Sequence, residues 1–157
     1  MVIGVVSDTH GMVDPSLFTI LKDVELIIHA GDIGEDVITE LETIAPVIAV
    51  SGNMDHYLTG YHLNKIEILE LGGKKIMVTH IFGYPRRISP ELIDLRSKES
   101  PDVIIFGHSH FPLNESVDGI LYLNPGSAGP ARFAFKRSVA LLTITPVSVS
   151  AEIIELD

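Results

Sequence analysis

The chain reads as a layered α/β fold, with two sheets packed together and helices outside, and three observations carry that expectation. Short β-branched apolar runs at 2–6, 26–28, 47–50, 76–78 and 103–106 each stop at a polar residue. Near-continuous apolar runs of this length mark strands buried on both faces. Helical spacing separates the early runs, and from about Phe111 onward the pattern changes to strand and turn. At 157 residues and 46% hydrophobic content, the chain has the material for one domain with a real core, read here as 1–157.

The elements follow in order. Val2 to Val6 opens as a strand, and Leu17, Ile20 and Leu21 suggest a first helix. Leu26 to Ile28 is the second strand; Val37, Ile38, Leu41 and Ile44 recur at helical spacing before the third, Val47 to Val50. Ile76 to Val78 and Val103 to Phe106 flank a third helix that begins at Ser89-Pro90-Glu91, where serine suits the cap and proline the first helical position. Leu113 to Val117, Ile120 to Leu123, Val139 to Thr143 and Val147 to Ile154 read as a C-terminal β meander, punctuated at Asp118-Gly119, Asn124-Pro125-Gly126-Ser127 and Pro146.

Composition excludes several classes. A net charge of -10 disfavours a nucleic-acid polymer or an anionic membrane as partner, so a phosphate-bearing substrate would need a local positive centre. The absence of cysteine removes disulfides, thiolate nucleophiles and zinc-thiolate sites. The N-terminus lacks the pattern of a secretory signal and no apolar run reaches the ~20 residues of a membrane helix, so a cytoplasmic protein is the default. A homo-oligomer remains open.

The polar residues at the strand ends are the informative feature. Asp8 and His10 follow the first strand, Asp32 the second, Asn53 the third, His80 a later one, and His108 and His110 the next. In open α/β sheets such ends converge on ligands. Carboxylate, imidazole and amide oxygen suit divalent manganese, iron, cobalt, nickel or zinc. Asp32 is the candidate for a carboxylate shared by two ions. Each residue alone has a bland alternative: Asp8 or Asp32 could cap a helix, and Asn53 could make an Asx-turn. Seven compatible ligands at successive strand ends are not so explained. Gly11, Gly31, Gly34, Gly52 and Gly107 beside them allow close backbone approach.

In order along the chain, Asp8-Thr9-His10-Gly11, Gly31-Asp32-Ile33-Gly34, Gly52-Asn53-Met54-Asp55, His80 and Gly107-His108-Ser109-His110 resemble the calcineurin-like metallophosphoesterase superfamily, and within it the small YfcE-like phosphodiesterases. The resemblance implies a four-layer α-β-β-α sandwich of two mixed sheets flanked by helices. It implies two divalent ions, manganese the first expectation, with Asp8, His10 and His110 on one, Asn53, His80 and His108 on the other, and Asp32 shared. Asp32, Asn53 and His108 are then the residues expected at the reaction centre. The implied activity is hydrolysis of a small phosphate diester by a metal-bridging hydroxide. A phosphomonoesterase of the same superfamily is one alternative. A non-catalytic scaffold resembling the retromer subunit of this fold is another, which the complete ligand set disfavours.

This sequence departs from the pattern at two places. Many members carry histidine after Gly-Asn, thought to assist the leaving group; here Met54 stands there, and a thioether donates no proton. His56, two residues on, is a candidate replacement or an exposed loop histidine. Ile81 replaces the glycine that commonly follows His80, reshaping a loop that runs to Arg86 and Arg87, candidates for phosphate contact or solvated surface charges. His29 reads as a core or supporting histidine, Asp55 as a turn former or an orienting group, and Asn124-Pro125-Gly126-Ser127 as a turn that can support the site.

Overall fold

A computed structural model describes residues 1–57, 62–85, 87–131 and 135–156. Its elements are β1 (Val2–Val6), α1 (Leu17–Ile20), β2 (Leu26–His29), α2 (Val37–Leu41), β3 (Val47–Ala49), β4 (Ile66–Leu71), β5 (Lys74–Thr79), β6 (Gly83–Tyr84), β7 (Arg87–Ile88), α3 (Pro90–Glu99), β8 (Val103–Ile105), β9 (Leu113–Val117), β10 (Ile120–Asn124), β11 (Ser138–Ile144) and β12 (Val149–Glu155), with a 3₁₀ turn at Asp55–Tyr57.

Two five-stranded sheets run in the orders β12-β11-β1-β2-β3 and β4-β5-β8-β10-β9. Both are mixed. In the first, β1, β2 and β3 are parallel neighbours and β11 joins β1 antiparallel. In the second, β5, β8 and β10 are parallel, with β4 and β9 antiparallel at the edges. The period-two alternation of side chains distributes each buried strand between two cores. Ile3, Val5, Ile28, Val78, Ile105 and Leu123 fill the space between the sheets. Val6 and Ile27, on the opposite face, pack under Leu17, Leu21, Val37 and Leu41 of the helical layer. Ile104 and Tyr122 on the far side of the second sheet meet Leu92 of α3. Each fully buried aliphatic contributes roughly 1.5–3 kcal/mol, so the apolar runs specify the layering. The result is the expected four-layer sandwich.

Several details differ from the sequence reading. The C-terminal strands are not one meander: β9 and β10 form a hairpin in the second sheet, whereas β11 and β12 form another in the first. Alternation along each hairpin is satisfied equally by either sheet, so it does not reveal that the chain crosses between them. Strand β4 was not expected, because Glu67 and Glu70 interrupt its apolar pattern at an edge position. α2 stops at Leu41, short of Ile44, and β12 starts at Val149 rather than Val147. Ser89 does occupy the cap of α3 with extended backbone, but its side chain makes no capping bond; its carbonyl accepts from Leu92 N and Ile93 N. Among the described residues, no helix is long and apolar enough to cross a membrane.

Candidate metal centre

The parallel strands of both sheets deliver their C-terminal loops to one place. Backbone bonds join the loops: Asp8 N donates to Gly31 O, His10 N to Asp32 O, Gly11 N to Ile33 O, and Gly107 N to His80 O. Eight non-glycine residues among those described have positive φ, and five are expected ligands: Asp8 at 54°, His10 at 49°, Asp32 at 53°, His108 at 68° and His110 at 57°. A left-handed backbone is unfavourable for ordinary side chains, and its concentration at these positions marks a site maintained by its surroundings.

The side chains converge. His110 Nε2 lies 3.2 Å from Asp8 Oδ1, and His80 Nε2 lies 3.4 Å from Asp32 Oδ2 and 4.0 Å from Asp8 Oδ1. His10 Nε2 is 4.0 Å from Asp32 Oδ2. Asp8, His10 and His110 form one potential ion-holding group, and Asp8, Asp32 and His80 a second, each with ligand atoms within 4.8 Å of one another. Asp8 is common to both groups, while Asp32 Oδ2 faces histidines of both.

The donor chemistry fits a cation. His80 Nδ1 donates to Ala30 O at 2.7 Å, so a neutral ring presents a lone pair at Nε2. That atom faces Asn53 Oδ1 at 3.1 Å as well as the two carboxylates. Electron-rich atoms so placed repel unless a positive charge stands among them. Asp8 Oδ1 and His10 Nε2 are buried with no hydrogen-bond partner among the described residues, although buried polar atoms are otherwise almost always paired. The outward oxygens, by contrast, are occupied: Asp8 Oδ2 accepts from Ser7 Oγ at 2.6 Å and His108 N at 3.1 Å, and Asp32 Oδ1 accepts from Met54 N at 2.9 Å. Each carboxylate is thereby turned to present one oxygen inward.

Asn53 and His108 lie at the exposed rim, the His108 ring edge-on to His80 with centroids 5.2 Å apart. Met54 is 59% exposed. His56 lines a cavity beside Asn53 and His80. Arg87 is exposed in β7, and Arg86 lies outside the described residues.

Supporting residues were less legible. Asp55 Oδ1 accepts from Ile33 N at 2.7 Å and Gly34 N at 3.4 Å, and its Oδ2 from Gly52 N at 2.6 Å, clamping the Asp32 loop to the Asn53 loop. Its place in Gly-Asn-Met-Asp was the available signal. Ser127 Oγ donates to Asp8 O at 3.0 Å, and Asn124 Nδ2 donates to Gly107 O at 3.0 Å, so the Asn124–Ser127 turn steadies both the first and the last ligand loops. No room remains for a side chain at Gly52, where a Cβ would stand 2.1 Å from Asp32 Oδ1, or at Gly107, where it would meet Ser7 Oγ at 2.0 Å.

His29 is fully buried behind these loops. Gly31 N donates to its Nδ1 at 3.2 Å, which puts the ring proton on Nε2, and Nε2 donates to Thr9 Oγ1 at 2.9 Å. Thr9 Oγ1 donates onward to Ile33 O at 2.7 Å. Burial, then the nearby His80 and His10, push the His29 pKa down to about 3 from an ordinary 6.5. The unfolded chain therefore binds a proton below pH 6.5 that the folded chain refuses until about pH 3. Stability from this group is present above pH 6.5 and is lost as pH falls through that window. His29→Gln should make unfolding midpoints, measured by urea titration on the metal-free chain, fall less steeply over the same window. An equal slope in both proteins would refute this account.

The model of the calcineurin-like phosphoesterase superfamily domain matches residues 1–146. A probable metallophosphoesterase of Methanothermobacter thermautotrophicus is 39% identical over 98% of this chain and 92% of its own length. Phosphodiesterase MJ0936 of Methanocaldococcus jannaschii is 30% identical over 80% of this chain and 83% of its own. The structure of vacuolar protein sorting 29 from Cryptosporidium parvum superposes with a TM-score of 0.83 at 21% identity, covering 99% of this chain and 91% of that one, a likeness of fold alone.

Proposed function

Since the chain belongs to the calcineurin-like phosphoesterase superfamily, we propose that it is a phosphodiesterase working with two divalent ions, manganese the first candidate. The observation that carries the reading is the convergence of Asp8 Oδ1 and Asp32 Oδ2 on the inward-facing nitrogens of His10, His80 and His110. Asp8, His10 and His110 would hold one ion, Asn53, His80 and His108 the other, and Asp32 would serve both. Ions held there would supply positive charge for the phosphoryl oxygens and would lower the pKa of a bound water toward neutrality. The family assignment supports phosphoester hydrolysis and divalent metal; a relative named as a phosphodiesterase and Met54 in this chain support the diester reading.

The chain's contribution is orientation. Ala30 O sets which nitrogen of His80 faces inward, and Ser7, His108 N and Met54 N set which carboxylate oxygen does. Met54 supplies no proton to a departing alkoxide, so substrates with good leaving groups should be favoured. The fold is shared with vacuolar protein sorting 29, and the gathering of Asp8, His10, Asp32, His80 and His110 at one place supports hydrolysis over a purely scaffolding role.

The test strips metal, restores manganese, nickel, zinc or magnesium separately, and compares bis-p-nitrophenyl phosphate with p-nitrophenyl phosphate. Metal-restored diester hydrolysis exceeding monoester hydrolysis is expected; none with any ion would overturn the reading. Met54→His, at an exposed side chain, should raise turnover of an alkyl monoester such as methyl phosphate, whose departing oxygen needs a proton, by about 10²-fold, with little change for p-nitrophenyl phosphate. An unchanged methyl phosphate rate would remove that explanation of specificity.

A further inference from the structure

A cavity of about 420 Å³ adjoins the proposed second ion position. Asn53 and His80 are among its lining residues, together with Ile66, Ile81 and Leu92. The size is in the range of small-molecule pockets. Ile81 is 49% exposed although it is large and apolar, and it directly follows a proposed ligand. Lys65 and Glu91, of opposite formal charge, also line the cavity. The lining thus provides apolar contact without a surplus of positive charge for a second phosphate.

We propose that this cavity holds the organic substituent that the diester retains through the reaction, an uncharged aryl- or nucleoside-sized group. The inference rests on the phosphodiesterase reading and names its substrate class. The retained substituent is the better occupant because it develops no charge, whereas the departing oxygen does, and aliphatic walls solvate a developing anion poorly. Ile66, Ile81 and Leu92 are then the residues that set specificity, through contact rather than chemistry.

Two esters with the same leaving group test this: bis-p-nitrophenyl phosphate and methyl p-nitrophenyl phosphate. The aryl diester should have the lower KM, and Ile81→Trp, which fills the cavity, should lower its kcat/KM roughly tenfold more than that of the methyl ester, the scale of losing a few apolar contacts. Ile81→Ala is the second variant and should raise the KM of the aryl ester with less change in kcat. A binding readout stands apart from turnover. In zinc-loaded protein, phenylphosphonate should shift the methyl resonances of Ile66, Ile81 and Leu92, and inorganic phosphate should leave them in place. Equal loss on both esters, or methyl shifts with phosphate alone, would overturn the cavity's role. Absence of hydrolysis in the unsubstituted chain would overturn the enzymatic reading instead, and the phosphonate shifts would still decide whether the cavity accepts an aryl group.

Discussion

Asp32→Asn should abolish most metal-dependent turnover, by about 10²-fold or more, and reduce the metal retained after gel filtration, measured by elemental analysis. The substitution preserves shape. Its remaining carbonyl oxygen can still accept from Met54 N, while an amide replaces the inward Oδ2 beside His80 and His10. What is lost is one negative charge and one ligand oxygen. The metal-free protein should not lose thermal stability, because Asp8 and Asp32 are both buried in one electron-rich cluster and removing a charge relieves repulsion. A variant that keeps both its metal and its rate would show that Asp32 is not a shared ligand. A variant that merely unfolds would refute the shape argument.

Asp55→Ala should have the second large effect, and by another route. Asp55 accepts hydrogen bonds from the backbone of Ile33, Gly34 and Gly52 while 8% exposed. Removing the carboxylate leaves three amides without their acceptor, at a cost of about 3 kcal/mol in total. It also frees the loops carrying Asp32 and Asn53 from each other. Metal affinity should fall roughly 10–100-fold, as when a partner that orients ligands is lost. Asp55→Asn should be milder, since one oxygen can still serve Ile33 N and Gly34 N while its amide faces Gly52 N as a donor. Urea unfolding of the metal-free chain and metal titration separate the two effects; full metal affinity in Asp55→Ala would show that the clamp is dispensable.

The proposed ligands could be picked out of the sequence because metal chemistry restricts residue type and strand ends restrict position. Asp8, His10, Asp32, His80 and His110 answer to both, and the structure gathers their ligand atoms into two overlapping groups, with Asn53 Oδ1 3.1 Å from His80 Nε2. Asp55 and Thr9 were harder to read, because an aspartate or threonine in a turn looks the same whether it bonds to its neighbours or to a loop about twenty residues away. The hairpins formed by β9 to β12 show the same limit at the level of topology, since alternation identifies a strand but not its sheet.

Taken alone, the sequence determined the layering of the fold and which residues are candidates for the metal centre, because hydrophobic period and ligand type are local properties of the chain. The tertiary structure decided which oxygen of Asp8 and Asp32 points inward, how Asp55 ties two loops, and that an apolar cavity borders Asn53 and His80. Those features depend on hydrogen bonds and packing between segments far apart in the chain, and such contacts leave no periodic trace in the residues that make them.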